Sequence, residues 1–80
     1  MVKIDRSFVT NLGRDRIDDA IVSAVVDLAH VLDLTVVAEG VETQDQLAQV
    51  QAVGCEQFQS FLYSPAVSAV ALHALMLARP

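Results

Sequence analysis

Residues 36–43, with the sequence VVAEGVET, constrain the fold of this chain more than any other stretch. A short apolar run ends here in Glu39, and a glycine, a second carboxylate at Glu42 and a helix-capping Thr43 follow directly. This order predicts a buried strand that turns at its carboxyl end into a helix. In parallel α/β folds the carboxyl ends of the strands meet at one edge of the sheet, where ligands usually bind. We therefore expect Glu39 and Glu42 to stand at such an edge.

Both carboxylates also have a plainer interpretation. Glu42 lies close to the positive N-terminal end of the following helix, where a negative charge is stabilising without any further role. Glu39 could be a solvated strand end. The spacing favours the plainer interpretation for Glu42 and leaves both interpretations of Glu39 open.

The same order, a strand followed by a helix, is predicted three times along the chain. Residues 2–5 alternate apolar and polar side chains and predict a short strand, and residues 6–15 predict a polar loop. The clearest helix is predicted over residues 16–32, with Asp15 as its N-cap. The apolar side chains that indicate it recur at three- and four-residue steps: Ile17, Ile21, Ala24, Val25, Leu28 and Leu32.

The second and third units follow the same pattern. Residues 34–38 predict a strand buried on both faces. Thr43 and Gln46 form a predicted capping box, and Gly54 predicts the end of that helix. Residues 55–63 predict a third strand and its loop.

The last helix is predicted over residues 67–78, after a break at Pro65. It has almost no polar face, so we expect another element to cover it. The chain is thus predicted to be α/β, with three consecutive strand–helix units and parallel strands. Three such units are too few to close a barrel.

The charge and cysteine content limit the possible functions. The net charge of −5 and the pI near 4.6, with five Lys and Arg in total, argue against DNA or RNA as a partner. Cys55 is the single cysteine, which excludes an intrachain disulfide. No membrane segment or signal peptide is apparent, so we expect a cytoplasmic location. His30, His73 and Cys55 lack partners at metal-ligand or nucleophile spacing, and we expect structural roles for them.

Three blocks of sequence carry a resemblance to a known family. Residues 3–9 read KIDRSFV, residues 36–43 read VVAEGVET and residues 54–59 read GCEQFQ. In order and spacing the chain resembles the C-terminal third of EAL domains, the bacterial phosphodiesterases that linearise cyclic di-GMP. The likeness extends to about residue 64, and residues 1–80 are interpreted as a partial EAL domain.

The resemblance implies a fold and a reaction. The fold would be the last part of a TIM-like (β/α)₈ barrel, and the reaction would open one phosphodiester of cyclic di-GMP to give linear pGpG. Two cations, Mg²⁺ or Mn²⁺, would activate the attacking water and neutralise charge on the phosphate.

The resemblance also assigns roles to four residues. Lys3 would contact the attacking water or the phosphate, and Glu39 would serve the second metal or act as base. Glu42 would support the site at its rim, and Gln59 would reach a guanine of the substrate or orient neighbouring groups. Without the resemblance, the residues themselves favour Lys3 as a solvated cation at a strand edge and Gln59 as a polar residue that satisfies a loop.

The chain departs from the family pattern in ways that bear on activity. The family's Glu-Ala-Leu strand, its following Asn and Glu and its Asp-Asp pair all precede the segment that begins at Lys3, so most metal ligands lie outside these eighty residues. Ser60 stands where the family has glycine, and Pro65 and Ala66 stand in place of Arg-Pro. We therefore expect the chain by itself to bind the metals poorly and to be inactive.

The alternative function is a non-catalytic interaction module derived from an EAL domain. Copies would pair through the helix at residues 16–32, through a free strand edge or through the last helix. In the family the helix that corresponds to residues 16–32 contributes to the dimer contact. We accordingly expect a homo-oligomer.

Overall fold

The computed structural model describes residues 1–60 and 66–78. Within them the chain forms one parallel sheet with strand order β1-β2-β3, which confirms the predicted α/β fold. The strands are β1 (Val2–Ile4), β2 (Val36–Glu39) and β3 (Gln57–Gln59). The helices are α1 (Arg6–Asn11), α2 (Arg16–Val31), α3 (Gln44–Ala52) and α4 (Ala69–Ala78). The predicted end of the third strand's loop and the break at Pro65 lie outside the described residues.

The two faces of the sheet differ sharply in chemistry. The register sets Ile4 opposite Ala38 and Ala38 opposite Phe58, and all three side chains belong to the buried core that the helices cover. Because side chains alternate along a strand, the intervening residues point to the other face. That face has Val37 at its centre, which is fully buried, and polar residues from all three strands around it. The members of this polar face are Lys3, Glu39, Gln57 and Gln59.

The prediction of a polar loop over residues 6–15 was wrong, because a short helix occupies its first half. Asp5 caps this helix: its carboxylate accepts hydrogen bonds from the N–H of Ser7 at 3.2 Å and from the hydroxyl of Ser7 at 2.7 Å. Val9, a residue of this helix, is buried in the core. Gly13, at φ +80°, forms part of the turn that follows, so the loop signals mark the end of α1 rather than its absence.

The long helix α2 was predicted correctly in extent and in its cap. The Asp15 carboxylate accepts from the N–H of Ile17 at 2.9 Å and of Asp18 at 3.3 Å. The apolar residues whose spacing predicted the helix do not face the core, apart from the half-buried Val25. The side chains that reach the core are Val22, Val26 and Ala29, and the exposed ones include Ile17, Ile21, Ala24, Leu28 and Leu32.

The reason is that α2 carries apolar residues on two sides. Steps of three and four occur along both, and spacing alone does not tell which side meets the sheet. The exposed apolar residues form a surface that we name the α2 stripe: Ile17, Ile21, Leu28, Val31 and Leu32.

The middle unit follows the prediction closely. The capping box of Thr43 and Gln46 is present, and Gly54 follows α3 at φ +105°. A Cβ atom on Gly54 would come within 3.1 Å of Val26 Cγ1, so the close approach of α2 also requires glycine. β2 begins two residues later than predicted, since the N–H of Leu34 donates to the carbonyl of Ala29 at the end of α2.

The C-terminal part returns to the sheet before α4 begins. Val67 pairs with Phe58 in an antiparallel bridge, with N–H to carbonyl distances of 2.8 and 2.9 Å. α4 therefore begins two residues later than predicted. Leu72 is buried, whereas Val70 is 82% and Leu77 66% exposed, so the expected cover exists on one side of the helix only. No helix of the described residues is long and apolar enough to cross a membrane.

Candidate active-site edge of the sheet

A cation and a carboxylate from neighbouring strands meet at the carboxyl edge of the sheet. Lys3 Nζ on β1 lies 3.6 Å from Glu39 Oε1 on β2, with the two side chains 53% and 32% exposed. An ion pair this open contributes at most about 1 kcal/mol to stability. Its importance is therefore the placement of opposite charges at a position where a ligand could reach both.

Gln59 continues this arrangement on the third strand. The register places it directly opposite Glu39, and its backbone carbonyl accepts a hydrogen bond from the N–H of Val41 at 3.0 Å. Three of the four residues predicted for the site thus lie side by side on adjacent strands. The side chain of Gln59 is half-buried.

Gln57 shares the polar face and was not among the predicted site residues. It lies two residues before Gln59 and opposite Val37 in the register. The period-two alternation of a strand, counted back from Gln59, was the signal that could have found it.

Glu42 stands at the rim, in the connection between β2 and α3. Gly40 turns the chain at φ +73°, and Glu42 follows two residues later with a half-exposed side chain. Its N–H donates to Gln46 Oε1 at 2.8 Å. The position of Glu42 directly before the N-cap Thr43 also agrees with the plainer interpretation, a charge near the positive end of a helix.

Asp5 is a further carboxylate at this edge, just after β1. Its hydrogen bonds from Ser7 lower the pKa of the carboxyl group below its usual value, because they favour the charged form. This carboxylate is engaged in capping α1.

The carboxylates at this edge do not by themselves fit a pair of divalent cations. Mg²⁺ and Mn²⁺ prefer several oxygen ligands, and among residues 1–60 and 66–78 no three His, Cys, Asp or Glu side chains come together to hold a metal. Glu39 can supply one such ligand.

The other ionisable candidates lie elsewhere. His30 Nε2 lies 2.9 Å from Glu56 Oε1, on the side where the strands begin. Cys55 is buried, and desolvation raises the pKa of its thiol to about 11. Both arrangements agree with the structural roles expected for these residues.

A parallel α/β layer with polar side chains at the carboxyl ends of its strands has the architecture of a section of a (β/α)-barrel protein, a class whose sites lie at that edge. The EAL domain model matches residues 1–66, and the chain belongs to the EAL domain family.

Curated relatives agree with this assignment. The chain is 49% identical over 61 residues to the bifunctional diguanylate cyclase/cyclic di-GMP phosphodiesterase MucR of Pseudomonas aeruginosa, a match that covers 76% of this chain and 9% of MucR. It is 46% identical over 66 residues to the cyclic di-GMP phosphodiesterase PdeL of Escherichia coli, covering 82% of this chain and 18% of PdeL. These eighty residues thus span a small part of either relative.

Solved structures show the same partial coverage. The PaMucR phosphodiesterase in complex with cyclic di-GMP aligns with a TM-score of 0.68 at 46% identity, covering 88% of this chain and 28% of that one. Klebsiella pneumoniae BlrP1 with manganese and cyclic di-GMP aligns with a TM-score of 0.70 at 39% identity, covering 84% and 17%. The recognised resemblance and the TIM-like fold section are therefore confirmed.

Proposed function

We propose that these eighty residues form the C-terminal part of a cyclic di-GMP phosphodiesterase site, which hydrolyses the cyclic nucleotide to linear pGpG. The observation that carries the proposal is the 3.6 Å contact between Lys3 and Glu39 at the carboxyl edge of the sheet. The relatives MucR and PdeL support it, since both are named as cyclic di-GMP phosphodiesterases. They do not favour a purely non-catalytic module.

The four side chains have chemistry that suits this substrate. The ammonium of Lys3 would hold a phosphate oxygen or the attacking water, and Glu39 would take up the proton of that water or ligate a metal. Gln59 carries both a donor and an acceptor, which can pair with the edge of a guanine. Glu42 would support the rim through its carboxylate.

We further propose that the cations, Mg²⁺ or Mn²⁺, are held mainly by residues outside this chain, with Glu39 giving one ligand. The sparse set of carboxylates at this edge supports this, as does the presence of manganese in the BlrP1 complex. The chain alone would then bind the metals weakly and release no measurable pGpG. We also propose a cytoplasmic location, which agrees with a sequence that has no cysteine pair for an intrachain disulfide.

A segment exchange tests the proposal directly. Residues 1–66 of this chain replace the matching segment of PdeL, and pGpG release is followed by chromatography with Mg²⁺ or Mn²⁺ present. We expect turnover that is lost on Lys3→Met and on Glu39→Gln. Glu56→Gln is the matched control, because it makes the same change on the side where the strands begin. A folded chimera without turnover would overturn the proposal.

We also propose that the chain self-associates through the α2 stripe. Ile17 is 72% and Val31 81% exposed. Large apolar side chains exposed together on one surface often mark a protein contact. Light scattering at micromolar concentration should give a dimer or larger species, and Ile17→Glu should shift it to a monomer. Val70→Glu, an equivalent change on α4, is the control. A monomeric wild type would contradict this surface as a contact.

A further inference from the structure

We infer that Gln46 is a positioning residue for Glu42, acting through the backbone of the loop between β2 and α3. Its Oε1 accepts hydrogen bonds from two successive N–H groups, that of Glu42 at 2.8 Å and that of Thr43 at 3.2 Å. The effect of Gln46 on catalysis rests on the proposed function, whereas its effect on the backbone of Glu42 does not.

The bond to Glu42 goes beyond what a helix cap requires. A capping box needs the side chain at the third helical position to reach the backbone of the cap residue, here Thr43. In this chain the shorter of the two bonds goes to the residue before the cap. Gln46 therefore holds the carboxylate-bearing residue as well as the start of α3.

The acceptor belongs to a well-anchored element. α3 buries Leu47, the neighbour of Gln46, and Val50 in the core, so the carboxamide has little freedom to follow a moving loop. On the other side, the N–H of Val41 is bound to the carbonyl of Gln59 in β3. The backbone on both sides of Glu42 is thus tied to structure that also positions the predicted site residues.

This arrangement fixes the backbone from which the Glu42 carboxylate projects. Groups that support a site act best when their backbone is fixed by packing and hydrogen bonds from a second layer of residues. Without the carboxamide oxygen, the N–H of Glu42 would turn towards water and the loop would sample further conformations.

Amide hydrogen exchange of the eighty-residue chain, followed by NMR, tests the loop. Gln46→Met removes the acceptor at similar size, and we expect the N–H of Glu42 to exchange about tenfold faster relative to core amides. Gln46→Glu keeps the acceptor and should restore slow exchange. Thr43→Val is the matched control: it removes the Oγ1 that accepts from the N–H of Gln46 at 3.0 Å and weakens the cap, but leaves the bond to Glu42.

The same variants in the PdeL chimera test the consequence for the site. We expect Gln46→Met to lower kcat about tenfold, Gln46→Glu to restore it, and Thr43→Val to change thermal stability more than kcat. Unchanged exchange at Glu42 in Gln46→Met overturns the inference, and so does faster exchange with full turnover. Faster exchange together with an inactive parent chimera leaves the loop result standing and rejects the proposed function.

Discussion

Lys3 Nζ and Glu39 Oε1, 3.6 Å apart on adjacent parallel strands, form a contact between charges that remain largely in water. Contacts of this kind add little to folding, because hydration competes with the partner. We predict that Lys3→Met lowers the free energy of unfolding by less than about 1 kcal/mol. Urea unfolding measures this, with Lys3→Arg as the charge-preserving control. A loss above about 2 kcal/mol would show that the pair is a structural bond and weaken its proposed role.

Two valines on neighbouring helices provide a matched test of the core. Val50 on α3 is fully buried, and Val70 on α4 is 82% exposed. We predict that Val50→Ala lowers the unfolding free energy by about 2 kcal/mol, from lost burial and the cavity that remains. Val70→Ala should change it by less than about 0.5 kcal/mol. Both changes raise helix propensity alike, so the difference reports burial. Equal effects in urea unfolding would contradict the burial of Val50 in the core.

The cap of α1 predicts part of the acid sensitivity. Hydrogen bonds from Ser7 lower the pKa of Asp5 below its ordinary 3.8, so the folded state favours the charged carboxylate. This contribution is fully present above the ordinary pKa and is lost as the pH falls through the folded-state value. We expect Asp5→Asn, which still caps a helix, to flatten the fall in Tm on acidification below about pH 4. Identical acid slopes for the two proteins would argue against the shift.

The burial of the Cys55 thiol predicts that it reacts slowly with thiol reagents in the folded state. Because burial raises the pKa of Cys55 from 9.0 to about 11, the reactive thiolate is scarce near neutral pH. We expect a disulfide reagent to label Cys55 only as fast as the chain unfolds, and at once in urea. A cysteine introduced at the exposed Ser23, in a Cys55→Ala background, should react rapidly in the folded state. Fast labelling of native Cys55 would contradict its burial.

The raised pKa of Cys55 also determines whether the folded state gains or loses stability at alkaline pH. Between 9.0 and about 11 the unfolded chain loses the thiol proton and the folded chain keeps it. Stability should therefore decrease as the pH rises through this interval, and less so in Cys55→Ala.

The sequence predicted the elements that depend on local rules. Asp15 as a cap, the Thr43 and Gln46 box and the stop at Gly54 are short-range hydrogen bonds and backbone preferences, and the structure contains all three. The spacing did not predict the orientation of α2, because that orientation depends on which of two apolar sides meets the sheet. α1 was missed because six residues carry too little periodicity to compete with the turn signals of Asn11 and Gly13.

In the candidate site, too, some features were predictable from the sequence and others were not. That Lys3 and Glu39 approach each other follows from parallel strands in register, a relationship that a single sequence only implies. The bond from the N–H of Glu42 to Gln46 depends on the path of the chain after Gly40, which spacing does not encode. Residue types were therefore predictable, and their mutual geometry was not.

The bridge between Phe58 and Val67 has a consequence for how copies of this chain could aggregate. It uses both backbone groups of Phe58, on the side of β3 away from β2, so a strand arriving there would have to displace it. Within the described residues β1 has a neighbour on one side only. Any fibril-like growth of the sheet would then proceed in one direction only, because new strands could pair with β1 but not with β3.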